Sequence, residues 1–181
     1  MRISIPFTAA ALAAVSVMSL APVVGADNGP PGDIPDNQAF VAYHGAGYLL
    51  KVPEGWGRTG SGRSVRFADK YNSIHVDVSS ALRRPSLASV RRVELPALRA
   101  KTKGFASPHL STVRRPAGAA ILITYHALSA PNPVTGKSIR TDVNRYEFWR
   151  RGRSYTITLQ APAGSDNVDP YRLITSSLRW R

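Results

Sequence analysis

Four histidines, eleven acidic residues and twenty-four basic ones are what this chain has for acid–base, metal or polyanion chemistry, and it has no cysteine. His44, His75, His109 and His126 are scattered. There is no His-Glu-x-x-His pairing to put two imidazoles on one helix face, and no Gly-x-Ser-x-Gly turn to present a nucleophile. His75 and Asp77 stand two apart in an alternating run, so they share a strand face and could ligate one metal ion together. With no third ligand nearby in sequence, they read instead as a surface pair on an ordinary strand. Gly60-Ser61-Gly62-Arg63 could cradle an anion, but it lacks the lysine and following Ser/Thr of a nucleotide loop and reads better as a hairpin loop. Glu54, Asp69 and Glu147 are isolated carboxylates without a partner at glycosidase-like spacing. The sequence thus nominates no catalytic residue, no metal ligand and no cofactor.

Positive charge is the stronger signal. Nineteen arginines stand against five lysines, and the formal net charge is +13. The basic residues cluster at Arg83-Arg84, Arg91-Arg92, Arg99 with Lys101 and Lys103, Arg114-Arg115, and Arg150-Arg151-Gly152-Arg153. Such a surface attracts polyanions in a salt-dependent way. Arg83, Arg84, Arg91, Arg92, Arg99, Lys101, Lys103, Arg150, Arg151 and Arg153 are therefore the candidate polyanion-binding residues. The competing reading is a solvated basic surface, because clustering in sequence need not be clustering in space. Nucleic acid is a weak candidate for an exported chain, and the aromatics Tyr146, Phe148 and Trp149 read as core packing rather than a base-stacking platform. A second polar feature is the strand face Thr156, Thr158, Gln160, which reads either as an outer face in solvent or as a partly open groove floored with Arg145, Glu147 and Trp149 of the adjacent strand.

Export is inferred from residues 1–26. Arg2 supplies a minimal positive start, Ile3 to Leu20 carries no charge, and Val24-Gly25-Ala26 offers small residues for cleavage after Ala26. An uncleaved anchor is the alternative, since the apolar stretch is long enough to span a bilayer. Without cysteine the protein has neither a lipidation site nor disulfides, so its core must hold unaided. Residues 27–37 carry three prolines and two glycines and read as a flexible linker. Residues 38–181 are long enough for one domain.

The elements that position these side chains are mainly strands. Tyr48-Leu49-Leu50-Lys51-Val52-Pro53-Glu54-Gly55-Trp56 reads as a strand stopped by Pro53 and turned at Gly55, with Tyr48, Leu50 and Val52 on one face. Further strands are expected over 40–43, 64–68, 72–79, 110–114, 118–128, 138–150 and 154–161. The apolar run Ala120–Tyr125 reads as a central strand covered on both faces. Ser86 is the expected cap of a helix with the apolar stripe Leu87, Val90, Val93, Leu98, kinked or split at Pro96 and stopped near Gly104. Asp169-Pro170 is the expected start of a last helix that buries Tyr171, Ile174 and Leu178. Strands and helices in this order predict an α+β fold, an antiparallel β-sheet flanked by helices.

These pieces in order resemble the PsbP-like fold, and more closely the exported LpqN-type envelope proteins of actinobacteria. The resemblance rests on Tyr48…Pro53-Glu54-Gly55-Trp56, Val65-Arg66-Phe67-Ala68-Asp69, Ile74-His75-Val76-Asp77-Val78, Ala119 to Tyr125, Arg151-Gly152…Tyr155-Thr156-Ile157-Thr158-Leu159 and Ser176-Ser177-Leu178-Arg179. It implies an α/β/α sandwich and a non-enzymatic binding or assembly factor linked to envelope lipid traffic. The expectation is a secreted, cell-envelope-associated binding module whose basic surface meets an anionic lipid, wall polymer or envelope protein, with peripheral membrane contact. The alternative is a small secreted hydrolase whose site is assembled from distant residues.

Overall fold

The computed structural model describes residues 32–132 and 134–181. Apolar residues at alternating or consecutive positions underlie eight of the ten strands: β1 Phe40–Gly45, β2 Tyr48–Pro53, β4 Ser64–Asp69, β5 Asn72–Ser80, β6 Ala106–Arg115, β7 Gly118–Leu128, β8 Arg140–Arg150 and β9 Arg153–Pro162, and the short β10 Arg179–Trp180 is too brief to carry a pattern. The remaining strand, β3 Gly57–Ser61, is exposed at every residue and carries no such pattern, and neither it nor β10 was expected. A seven-stranded antiparallel sheet runs in the order β3-β4-β5-β9-β8-β7-β6, beside a three-stranded sheet β1-β2-β10. The expected α+β class is thus observed. β7 lies one place from the sheet edge rather than at its centre, with Ile121, Ile123, Tyr125 and Ala127 buried on one face and Leu122 and Thr124 half-buried on the other.

One face of the large sheet packs on the small sheet and on helix α3 Val168–Ser176. Tyr48, Leu50 and Val52 point from β2 into this core with Ile74, Val76, Phe148, Ile157 and Leu159. At roughly 25 cal/mol per Å² of apolar surface, each such side chain stabilises by about 1.5–3 kcal/mol. Pro53 closes β2, Gly55 turns the chain at φ 83°, and Trp56 packs half-buried against the core. Tyr171, Ile174 and Leu178 are buried as the stripe required. The cap of α3 is corrected: the helix starts at Val168 after Asn167, and Asp169 stands in its first turn. The Asn167 side chain is spent elsewhere, accepting from the Ile34 amide at 2.7 Å and donating to the Gly32 carbonyl at 3.0 Å. Of the expected linker, residues 27–31 lie outside the described residues, as does the export signal. Its second half is corrected, because Ile34 is buried in the core and Asp33 accepts from the Asp166 amide at 2.8 Å.

The other face carries α1 Leu87–Ser89, a π-helical turn Val90–Glu94 and α2 Leu95–Lys101, in unbroken succession. Ser86 caps the start in a reciprocal box with Ser89. Pro96 has no N–H to return to the preceding turn, and the helix widens just before it so that the Leu95 amide reaches the Val90 carbonyl. The added residue per turn rotates the following side chains, and the expected stripe is corrected. Val93 is 66 % exposed, while Glu94, Leu95 and Leu98 turn inward. Val90, Leu95 and Leu98 pack on Ile121, Ile123, Tyr125, Ala127 and Val143. Among the described residues no helix is long and apolar enough to cross a membrane.

Candidate functional site

Antiparallel register sets the rows of polar side chains beneath α1 and α2. Asp77, Thr156, Glu147 and Ile121 align across β5, β9, β8 and β7, and His75, Thr158, Arg145 and Ile123 form the next row. The helices cover the β7–β8 end of these rows and leave Arg66 exposed and His75 and Asp77 half-exposed on the other. At the boundary, Arg145 lies between two glutamates. Its Nη2 is 2.6 Å from Glu94 Oε1, its Nε donates to Glu147 Oε1 at 3.1 Å, and its Nη1 reaches Thr158 Oγ1 at 3.5 Å. The Glu147 side chain is only 2 % exposed.

One guanidinium cannot neutralise two carboxylates, so the cluster retains a proton. Burial first, then the hydrogen bond to Glu94 and its charge, push the Glu147 carboxyl up to about 8. Burial is also the largest influence on Glu94 and acts upward, but the hydrogen bond from Glu147 and the Arg145 charge outweigh it and hold Glu94 below its usual range. Two carboxyl groups bonded to one another lack the 5 Å or greater gap that glycoside hydrolysis needs. The cluster works as a clamp that ties the α1–α2 segment to the sheet.

Two cavities flank the clamp. A cleft of about 490 Å³ lies beside Glu147 between the start of α1 and strands β6–β8, walled by Leu87, Ala119, Ile121 and Trp149. The Trp149 indole donates to the Ala81 carbonyl at 2.8 Å, and the Arg84 guanidinium lies 5.7 Å from its ring centre. A second cleft, of about 450 Å³, opens beyond α2, where Lys101, Lys103, Ser129, Thr158 and Gln160 line it. Thr156 is buried and Thr158 and Gln160 are half-buried. The polar strand face is therefore the floor of a partly covered groove rather than a plain solvent face.

His75 and Asp77 do share a face, with Nδ1 3.4 Å from Oδ2, and Ser64 of β4 completes a Ser-His-Asp set. Ser64 Oγ lies 3.2 Å from His75 Nε2 and donates to Asp77 Oδ1 at 2.8 Å. As a nucleophile it is poorly set, because its hydroxyl proton is committed to the Asp77 carboxylate rather than to the imidazole. Among the described residues no three His, Cys, Asp or Glu side chains converge as a metal site. His126 is a strand-end histidine, 2.6 Å from Asp142.

The candidate basic residues separate into four places. Arg84 stands at the mouth of the first cleft, while Arg83 beside it is exposed. Arg91 and Arg99 line a shallow groove on the outer side of the helices, Arg92 is exposed near them, and Lys101 and Lys103 belong to the second cleft. Arg99 also lies 5.9 Å from the Phe105 ring centre. Arg150, Arg151 and Arg153 come together at the β8–β9 hairpin, in a pocket of about 270 Å³ that Gly47, Tyr155 and Arg181 complete. Arg181 carried no signal in sequence: it arrives because its amide donates to the Gly47 carbonyl at 3.1 Å, in continuation of β10. Arg115 is spent on structure, donating to Thr175 at 2.9 Å and lying 5.5 Å from the Tyr146 ring centre.

Neither a protein-family model nor any curated protein matches the chain. Among solved structures, the chain is similar to a protein from Bacteroides thetaiotaomicron at 12 % identity and a TM-score of 0.46, over 74 % of this chain and 45 % of that one. This chain therefore spans less than half the length of that structure.

Proposed function

We propose that this protein is an exported, non-enzymatic binding module of the cell envelope that engages an anionic partner through its basic surface. The observation that carries the reading is the pocket at the β8–β9 hairpin, where four arginines line one concavity. Among the described residues none of the four is paired with an Asp or Glu carboxylate, although Arg145, on the strand of Arg150, is paired with two. Unpaired guanidiniums gathered in a concavity attract anions far better than the same charges dispersed. The rest of the molecule supports binding over catalysis, since Glu94 and Glu147 are locked together by Arg145 and the Ser64 hydroxyl is committed to Asp77. The LpqN-type resemblance points the same way.

Cosedimentation of the full chain with phosphatidylglycerol-containing and with pure phosphatidylcholine vesicles tests the reading. Binding to the anionic vesicles should exceed binding to the zwitterionic ones, and should fall by about tenfold or more between about 50 and about 200 mM salt. Equal, salt-insensitive binding to both would remove the basic surface as the cause.

A further inference from the structure

The arginine pocket has features that a merely basic surface does not require. β8 and β9 are joined by a two-residue turn between Arg150 and Arg153, and both turn residues have positive φ, 46° at Arg151 and 75° at Gly152. Asn or Gly is the usual occupant of the first position, and a long side chain there costs about 1–2 kcal/mol in backbone strain. Here that strained position holds an arginine, and it is one of the residues that line the pocket. The Arg150 guanidinium is fixed 5.4 Å from the centre of the Trp180 ring, which makes it less free to wander than a surface arginine. Gly47 forms the floor at φ 84°, and a Cβ there would stand 3.1 Å from the Tyr155 hydroxyl and 4.0 Å from Arg153 Nη1. Any side chain at Gly47 would intrude on the space between the hydroxyl and the guanidinium.

We infer that this pocket is a specific site for a phosphomonoester, with Arg150, Arg151, Arg153 and Arg181 as its guanidinium donors and the Tyr155 hydroxyl at its base. The inference rests on the binding-module reading and narrows it to one chemical group. A terminal phosphate presents three unsubstituted oxygens and close to two charges, so several planar forks can bond to it at once. A phosphodiester offers two such oxygens and one charge. A volume of about 270 Å³ admits the phosphate and the first atoms of whatever carries it. The carrier is either a lipid headgroup or a small soluble phosphate ester; the phosphate is common to both.

The test uses the full chain and its Arg153→Lys variant, which keeps the charge and loses the fork. Vesicles of phosphatidylcholine are prepared with phosphatidic acid or with phosphatidylglycerol at matched surface charge, and methyl phosphate and dimethyl phosphate serve as soluble probes followed by amide shifts at Gly47 and Gly152. We expect phosphatidic acid to be preferred over phosphatidylglycerol and methyl phosphate over dimethyl phosphate. Arg153→Lys should weaken the monoester arms by about tenfold and the phosphatidylglycerol arm much less, because the charge is kept and only the fork is lost. Response to methyl phosphate without a preference among vesicles also supports the site and assigns a soluble carrier. Equal binding to both lipids, with Arg153→Lys indistinguishable from wild type and no response to methyl phosphate, overturns the phosphate site while the binding-module reading stands. Binding to neither vesicle and to neither phosphate overturns both.

Discussion

Arg145 and Arg150 lie five residues apart on strand β8, and an odd separation puts them on opposite faces of the same sheet. Arg145 faces α1–α2, is 20 % exposed, and is held by Glu94 and Glu147. Arg150 faces the side of Trp180 and joins three other arginines in a pocket lined by no acidic side chain. The side chain is the same; what covers each face decides its role. Where a helix descends on the sheet, a cation is kept only with enough negative partners to offset its desolvation. At the turn end of the other face, where Arg151 and Arg153 are exposed, cations can gather and remain available to a ligand.

The largest effect should come from breaking the covered site. Arg145→Gln leaves Glu94 and Glu147 sharing a half-buried site without a cation, and unpaired buried charge of this kind typically costs about 3–5 kcal/mol. Urea denaturation should show the midpoint falling sharply with an unchanged slope. A loss under about 1 kcal/mol would mean the clamp contributes little and the contrast between the two arginines is one of position only.

Titration sharpens the same contrast. The folded Glu147 carboxyl holds its proton up to about 8, well above its ordinary value of 4.5. Between those values the folded state carries a proton that the unfolded chain has released, so stability falls as pH rises through this window and the loss is complete above about 8. Glu94, shifted the other way, favours the folded state above its ordinary range and offsets part of the loss. The net slope should amount to a few kcal/mol at most. Glu147→Gln keeps a hydrogen-bond donor toward Glu94 and removes the titration, so its stability should be flat from pH 5 to about 8.5 and should exceed wild type at the alkaline end. An equally steep slope in the variant would place the titrating group elsewhere.

The two arginines differ also in how much of their setting the sequence reveals. Thr156 and Thr158 were legible as lying beside a strand that carries Arg145 and Glu147 because of period-two alternation and a short hairpin, while the register itself comes from a turn one residue shorter than the expected strand ends at 150 and 154 imply. Ser86 was legible as a helix cap and Ile74, Val76 and Val78 as a buried face for similarly local reasons. Glu94 was not. A simple helical period places Val93 inward, and only the π-turn before Pro96 swings Glu94 toward Arg145. Arg181 was not legible either, since a backbone bond to Gly47 in a distant hairpin brings it to the pocket. β3, Gly57-Arg58-Thr59-Gly60-Ser61, buries nothing and exists only because β4 offers it an edge. Local chemistry was readable; contacts made across the fold were not.

The smallest stability effect tests the exposed site most sharply, because its sign matters more than its size. Arg151 occupies a left-handed turn position ahead of Gly152, where asparagine is favoured and arginine is strained. Arg151→Asn should therefore stabilise the protein, by about 0.5–1 kcal/mol, since it relieves the strain and removes one of four mutually repelling charges. The same substitution should weaken binding of phosphatidic acid vesicles, because it removes one of the four guanidiniums in the pocket. Opposite signs in the two measurements are what a residue kept for a ligand produces, with the backbone bearing the cost. A variant that is more stable and binds phosphatidic acid as well as wild type would make Arg151 an ordinary strained turn residue and reduce the site to three arginines. A variant that is less stable would show that the turn prefers arginine for structural reasons, and that Arg150 and Arg151, like Arg145, are held by the fold rather than offered to a partner.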